Sequence, residues 1–197
     1  MPLLDPLPAD TTPELADKFA TFVRILGFVP NSLLTMQRKP EIVAGFEALT
    51  RAVMAPEGEV DLGFKRLVAH FCSRAAGCEY CMAHSLIAAE IHGIAPDKVD
   101  AVWDYARSPL YSEAERAALD FALAAGSVPN AVDERLMQRM RTHWSEGAIV
   151  EILAVVALYG FLNRWNDSMA TPIEPAALAM GERVLASHGW SGGKHRG

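Results

Sequence analysis

The chain has 197 residues, 51% of them hydrophobic, and is long enough to bury one sizeable core. Its formal net charge of −6, with Lys and Arg scattered along the chain, provides no basic field for phosphates, so we expect no nucleic-acid partner. The longest apolar segment, 149–162, is shorter than the roughly 20 residues that cross a bilayer and contains Glu151, so we expect no membrane span.

The first residues and the cysteine content predict a cytoplasmic protein. Residues 1–8 lack the positive segment and the following apolar stretch of a secretory signal. Three cysteines are too few for a disulfide framework in a chain of 197 residues. In a reducing compartment, a close pair of cysteines is typical of redox-active or metal-binding sites.

Helical spacing of apolar residues recurs along almost the whole chain, and no alternating β-branched run predicts a strand. The pattern therefore predicts an all-α fold. The N-terminal helical segment, 1–56, contains a helix that begins at Thr12 and Pro13 and ends at Gly27, then a short helix, then a helix that begins at Pro40.

A predicted helix pair over 60–92 follows, with Asp61 as the N-cap of its first helix and with Gly77 and Gly93 as helix ends. Later helices are predicted over 96–105, 112–125, 133–143, 145–162 and 175–187.

We expect residues 1–190 to form a single domain. In it, a second helix pair over 112–167 echoes the pair over 60–92, which indicates two related helical halves, and a C-terminal helix covers 174–187. Residues 191–197, rich in glycine, are expected to be a disordered tail.

The chemistry is expected at Gly77-Cys-Glu-Tyr-Cys-Met-Ala-His84. Helical spacing places Cys78, Cys81, His84 and Ser85 on one stripe of a helix, because residues three and four apart are neighbours. Two thiols and an imidazole can therefore meet there.

A Cys-X-X-Cys pair can cycle between dithiol and disulfide, because one sulfur attacks and the other resolves the sulfenic acid or mixed disulfide. Cys78 lies in the first helical turn, where the helix dipole favours a thiolate. Histidine is the side chain best suited to proton transfer at neutral pH, so His84 is the candidate that moves the thiol proton. We therefore predict a thiol redox site.

Two structural alternatives remain open for these residues. The cysteines can pack as small buried hydrophobic groups. A zinc ion can bind Cys78, Cys81 and His84 together with His70 or Cys72, although three ligands on one helix surround a metal poorly.

Three segments resemble the carboxymuconolactone decarboxylase superfamily, in its branch similar to alkylhydroperoxidase D and the peroxidase-related proteins. Gly-Phe-Val-Pro-Asn at 27–31 resembles the N-terminal segment of that branch. Residues 74–81, with the histidine that follows, resemble its active-site helix, and Phe-Leu-Asn-Arg-Trp-Asn-Asp at 161–167 resembles its second helix pair.

The resemblance implies an enzyme of packed helix pairs that assembles as a trimer or hexamer and needs no bound cofactor or metal. It would reduce a hydroperoxide substrate and be returned to the dithiol by an external dithiol reductant. In that scheme Cys81 attacks the peroxide and Cys78 resolves it. The helix dipole alone favours Cys78 as nucleophile, so the assignment of the two roles remains open.

The sequence departs from alkylhydroperoxidase D at two positions. The relay histidine of that enzyme follows the second cysteine by four residues, whereas here His84 follows by three and Ser85 takes the other position. The position of its relay glutamate is occupied by Arg66. The relay or pocket candidates that remain are His70, Asn163 and Asp167. Arg66 itself can lower the thiol pKa or bind a carboxylate.

Two other functions stay open at this point. One is a lyase similar to carboxymuconolactone decarboxylase, with His84 or His70 as acid/base; the cysteine pair argues against it, because that reaction needs no dithiol. The other is a non-enzymatic, redox-sensing oligomer.

Overall fold

The structure, a computed structural model, describes residues 1–196, and over that range all regular secondary structure is helical. The predicted all-α fold is confirmed. The α-helices are α1 (Ala16–Leu26), α2 (Asn31–Met36), α3 (Pro40–Val53), α4 (Leu62–Ala76), α5 (Glu79–Ile91), α6 (Pro96–Asp100), α7 (Glu113–Gly126), α8 (Glu134–His143), α9 (Glu146–Met169) and α10 (Pro175–Val184).

The link between α4 and α5 follows from local signals in the sequence. The Asp61 carboxylate accepts a hydrogen bond of 2.9 Å from the Phe64 N–H and so caps the start of α4. Gly77 ends α4 at a φ of +72°, a conformation that glycine adopts without strain. Cys78 follows directly as the N-cap of α5, so the cysteine pair lies at the start of that helix.

Helix α4 is the centre of the molecule, with α5, α7 and α9 packed around it. Its burial includes Lys65, which is 1% exposed. The Lys65 Nζ lies 2.9 Å from Glu151 Oε2 and donates to the carbonyl groups of Val53 and Ala55. A buried charge needs such partners, and these contacts join α4 to α9 and to the end of α3.

The N-terminal helices form a smaller apolar cluster of Leu15, Phe19, Leu33, Met36 and Val43. Helix α1 also contacts α5. The N-terminal segment therefore forms a wall beside the cysteine helix.

Helix α9 is longer than predicted, because it continues past 162 to Met169. It is long and apolar enough to cross a membrane, with a mean hydropathy of 1.6 over its most apolar window. However, α9 packs against α4, α5 and α7 and buries Asn163 and Asn166, as a core helix of the fold does.

The prediction of a disordered tail is wrong for residues 191–196. The buried His195 places its Nδ1 2.8 Å from the Thr171 carbonyl, and its own carbonyl accepts from Ile173 N–H. The preceding Trp190 is buried too, with its indole donating to the Glu79 carbonyl. The tail thus closes over the start of α5. Residue 197 lies outside the described residues.

Other predicted boundaries shift by a few residues. Helix α6 ends at Asp100 instead of 105, and α10 ends at Val184 instead of 187. The single domain over 1–190 and the relation between its two halves stay predictions.

Candidate active site

A cavity of about 570 Å³ runs along one face of α5. From that helix it is lined by Tyr80, Cys81, His84, Ala88 and His92, which recur at helical spacing. We call it the α5 cavity. Its other walls come from α1, α2, α3, α4 and α9.

Cys81 is the cysteine that faces this cavity. It is 3% exposed, and the Asn166 amide on α9 donates to its sulfur over 3.4 Å. Cys78 is fully buried behind it and does not line the cavity. The two thiols interact, and both are free.

The Cys81 thiol is held protonated by its surroundings. Burial raises its pKa well above the usual value, and the neighbouring Cys78 thiol raises it further. The Asn166 amide acts in the opposite direction, because its N–H stabilises a thiolate. Cys81 therefore needs a base at the moment it reacts.

His84 is paired with a carboxylate that comes from far along the chain. Its Nε2 lies 2.7 Å from Glu174 Oε2, and its Nδ1 lies 2.9 Å from the Tyr80 carbonyl. Its ring stacks on the Tyr80 ring, with the centroids 4.0 Å apart, and meets Phe28 edge to face. Both ring nitrogens thus face oxygen atoms, one of the Glu174 carboxylate and one of the Tyr80 carbonyl.

Glu174 is the N-cap of α10 and is buried. Its Oε1 accepts from the Tyr80 hydroxyl at 3.0 Å and from the Asn31 N–H. Burial raises the pKa of the carboxyl, but the charge of His84 and these contacts outweigh burial and leave the pKa below its usual value. Tyr80 stays protonated, because burial and Glu174 raise its pKa. Glu174 is therefore an ionised partner for His84.

Two further predicted residues, Arg66 and Ser85, take different positions relative to the α5 cavity. Arg66 lines the α5 cavity and donates to the Tyr159 hydroxyl at 3.1 Å. Ser85 is buried and donates to the Cys81 carbonyl at 2.7 Å, but it does not line the cavity.

The three residues predicted as relay partners are placed elsewhere. His70 is buried, with its Nδ1 3.0 Å from the Met82 carbonyl, and it does not line the α5 cavity. Burial lowers its pKa to about 4. Asn163 donates to Cys72 at 3.7 Å. Asp167 lies beside Lys194 at 3.0 Å, so none of the three lines the cavity that Cys81 faces.

Sequence patterns missed Glu174, Tyr80, Asn166 and Tyr159. Tyr80 and Asn166 lie within segments already selected, and helical spacing is the signal that identifies them. Glu174 carries no such signal, because a glutamate before Pro175 indicates only a helix start. Within residues 1–196, no group of three or more His, Cys, Asp or Glu side chains is arranged to hold a metal ion.

Known proteins resemble this chain in sequence and in structure. Residues 40–124 match the carboxymuconolactone decarboxylase family. The Escherichia coli (strain K12) protein YnjA is 38% identical over 98 residues, which cover 49% of this chain and 53% of YnjA, so the alignment spans about half of that curated relative.

Two solved structures extend the comparison to most of the chain. The debrominase Bmp8, in a cysteine-to-alanine variant bound to 2,3,4-tribromopyrrole, is 35% identical with a TM-score of 0.87, over 92% of this chain and 97% of that one. A peroxidase-related protein with an alkylhydroperoxidase AhpD core, from Ralstonia eutropha JMP134, is 25% identical with a TM-score of 0.77, over 91% and 97%. The chain therefore belongs to the carboxymuconolactone decarboxylase and alkylhydroperoxidase D-like superfamily.

Proposed function

We propose that this protein is a thiol-dependent peroxidase that reduces hydroperoxides at Cys81. One observation carries the proposal: Cys81 faces a substrate-sized cavity on the same helix face as His84, with Cys78 directly behind it. The similarity to a peroxidase-related protein of the superfamily supports a two-electron reduction at this cysteine pair. Of the three cysteines, Cys81 alone lines this cavity.

In the first step, the Cys81 thiolate attacks the terminal oxygen of the hydroperoxide. The O–O bond breaks, an S–O bond forms, and Cys81 becomes a sulfenic acid. The leaving alkoxide takes a proton and departs as the alcohol. The substrate is reduced by two electrons, and the Cys81 sulfur is oxidised by two.

In the second step, the Cys78 sulfur attacks the sulfenic sulfur of Cys81. An S–S bond forms, and the hydroxyl group leaves with a proton as water. An external dithiol then reduces the disulfide by thiol exchange and is itself oxidised. The burial of Cys78 behind Cys81 suits a resolving role, because it never has to meet the substrate.

The His84–Glu174 pair is the proposed acid/base group. Because burial raises the Cys81 pKa, attack requires removal of the thiol proton, and the leaving alkoxide requires its return. His84 lines the same cavity, and Glu174, 2.7 Å from its Nε2, orients the imidazole and can share the proton that the pair takes from Cys81 and returns to the alkoxide. Arg66 occupies the position on α4 at which alkylhydroperoxidase D has its relay glutamate. We assign the role of that carboxylate to Glu174.

A trapping experiment tests both cysteine assignments. Cys78→Ser should complete one reduction of cumene hydroperoxide and then stop, with dimedone trapping a sulfenic acid on Cys81 in a peptide mass spectrum. Cys81→Ser should give neither turnover nor an adduct. A dimedone adduct on Cys78, or full turnover by Cys81→Ser with dithiothreitol as reductant, contradicts the proposal.

The similarity to the debrominase favours one second candidate, reductive dehalogenation. In that reaction a proton replaces bromine on an aromatic ring, the Cys81 sulfur takes the bromine, and Cys78 displaces bromide to form the same disulfide. Release of bromide from tribromopyrrole without consumption of hydroperoxides would select this candidate. The lyase alternative is not favoured, because it gives the thiol pair no role.

We also propose that the protein forms a cytoplasmic homo-oligomer. The apolar side chains of Val150, Leu153 and Phe161 on α9 are exposed in the single chain, and a second copy would cover them. Light scattering after size-exclusion chromatography tests this, and a monomer at micromolar concentration would contradict it.

A further inference from the structure

Arg66 lies half-buried in the α5 cavity, and its charge has no acidic partner. Within residues 1–196, no carboxylate lies within ion-pair distance of its guanidinium. Its Nε is buried without a hydrogen-bond partner, and its Nη1 donates to the Tyr159 hydroxyl. A half-buried guanidinium in this state has unused donors for an anion.

The groups around Arg66 are compatible with an anion. Tyr159 accepts from Arg66, so its own hydroxyl proton is free to donate to a ligand. His92 lines the same end of the cavity, and its pKa is lowered by burial and by the charge of Arg66, while Asp61 acts against this. Asp61 itself accepts from the Phe64 N–H.

The two ends of the cavity differ in charge. Near Cys81 lies the Glu174 carboxylate, paired with His84, whereas the other end carries Arg66. The carboxylates at the rim, Asp17 and Glu47, come from α1 and α3, and Glu47 is paired with Lys18 at 2.9 Å. A monoanionic ligand therefore gains most when its charge is at the Arg66 end.

The spacing along α5 sets the length of such a ligand. Ala88 and His92 follow Cys81 by seven and eleven residues, which corresponds to roughly 10 and 16 Å along the helix axis. The walls between these ends are largely apolar and include Met54, Leu62 and Leu158. The cavity thus suits an apolar chain or ring system with a charged group at one end.

We propose that Arg66 and Tyr159 form a carboxylate-binding subsite, and that the substrates are amphipathic organic acids with the reducible group roughly 10–16 Å from the carboxylate. This inference rests on the proposed function for the identity of the reducible group, a hydroperoxide. The binding of the acid itself does not depend on that assignment.

An inert ligand tests the subsite without turnover. By isothermal titration calorimetry, ω-hydroxydecanoic acid should bind the wild-type protein at least about tenfold more tightly than its methyl ester, because only the acid forms charge-assisted hydrogen bonds. Arg66→Gln should remove this preference, and Arg66→Lys should retain part of it. Tyr159→Phe should reduce it by a smaller factor.

Arg51→Gln is the matched control, because Arg51 is an exposed arginine of α3 that lines the same cavity at its rim. This variant should keep the preference. Equal binding of acid and ester by the wild type, binding of neither, or an equal loss in Arg51→Gln and Arg66→Gln would each overturn the subsite. Thermal unfolding of each variant verifies that it is folded.

Turnover then separates the subsite from the proposed function. With ω-hydroperoxydecanoic acid, Arg66→Gln should raise KM at least about tenfold and leave kcat nearly unchanged, because binding far from the sulfur is lost. Absence of turnover in the wild type, together with tight binding of the acid, would reject the peroxidase and retain the subsite. Turnover by the wild type without a preference for the acid over the ester would retain the peroxidase and reject the subsite.

Discussion

Helix α9 presents two asparagines, one turn apart, to two different buried thiols. Asn166 donates to Cys81 at 3.4 Å, and Asn163 donates to Cys72 at 3.7 Å. Each thiol lies beside its own cavity, of about 570 Å³ and about 640 Å³. Burial raises the pKa of both, to about 11 for Cys72.

The two thiols differ in what lies beyond the asparagine. Cys81 has a second cysteine behind it and the His84–Glu174 pair on its cavity wall. Cys72 donates to the Val156 carbonyl, and among the described residues its cavity is lined by neither a histidine nor another cysteine. A thiol, an amide and a cavity therefore do not make a redox site without an acid/base group and a resolving sulfur.

Replacing each thiol in turn should give the largest difference between the two regions. Cys81→Ser should lower kcat/KM for hydroperoxide reduction at least about a thousandfold, because a hydroxyl cannot replace the nucleophilic sulfur. Cys72→Ser should stay within about twofold, since Cys72 meets no acid/base group. Stopped-flow assays of hydroperoxide reduction measure kcat/KM in both variants. Comparable losses of kcat/KM would show that the two thiols do not differ in function.

Neutralising Glu174 should leave Cys81, like Cys72, without a working acid/base group. Glu174→Gln should lower kcat about a hundredfold, because His84 loses its charged partner. The wild-type pKa of Glu174 lies below 4.5, so this carboxylate is ionised at neutral pH and is lost to protonation only as the pH falls through that lowered value.

The pH–rate profile separates a relay role from a structural one. In the wild type the acid limb contributed by Glu174 should lie below pH 4.5, and in Glu174→Gln this limb should be absent. Glu182→Gln, a surface position on the same helix that pairs with Arg196, should match the wild type. An unchanged profile in Glu174→Gln would exclude the relay.

Much of the fold follows from local signals, whereas the site follows only in part. Asp61, Gly77 and the cysteine spacing place two thiols and His84 at the start of α5 without tertiary information. Glu174 reaches His84 across 90 residues of sequence, and no local pattern specifies that contact.

The choice between Asn163 and Asn166 shows a second limit. These residues differ by about 60° around α9, so a small rotation of the helix decides which one meets Cys81. Helical spacing selects the segment, but packing against α4 and α5 sets the rotation. For the same reason the ring of His70, which lies within the α4–α5 contact, faces the Met82 backbone carbonyl and does not line the cavity.

The buried His70 should make the stability of the protein depend on pH. His70 is neutral in the folded protein, because burial lowers its pKa from 6.5 to about 4. The unfolded chain binds more protons between these values, so stability should fall as the pH drops from 6.5 toward 4, by about 2 kcal/mol at pH 4.5.

Urea unfolding at pH 7 and pH 4.5 measures this loss. His70→Gln should flatten the dependence, whereas His143→Gln, at an exposed position of α8, should leave it unchanged. An equal acid sensitivity in His70→Gln and the wild type would assign the loss to other groups.

The smallest expected effect distinguishes the two asparagines themselves. Asn166→Ala should raise the pKa of Cys81, because the amide N–H that stabilises its thiolate is removed. Attack on hydroperoxide should slow by about five- to tenfold, because the thiolate loses one hydrogen bond and a smaller fraction of Cys81 is ionised. Asn163→Ala should leave Cys81 reactivity unchanged and cost roughly 1 kcal/mol of stability through its buried contact with Cys72.

The rate of Cys81 alkylation by iodoacetamide, measured as a function of pH, separates the two variants. Only Asn166→Ala should shift this rate profile to higher pH. Equal shifts in both variants would show that the two amide–thiol contacts are equivalent.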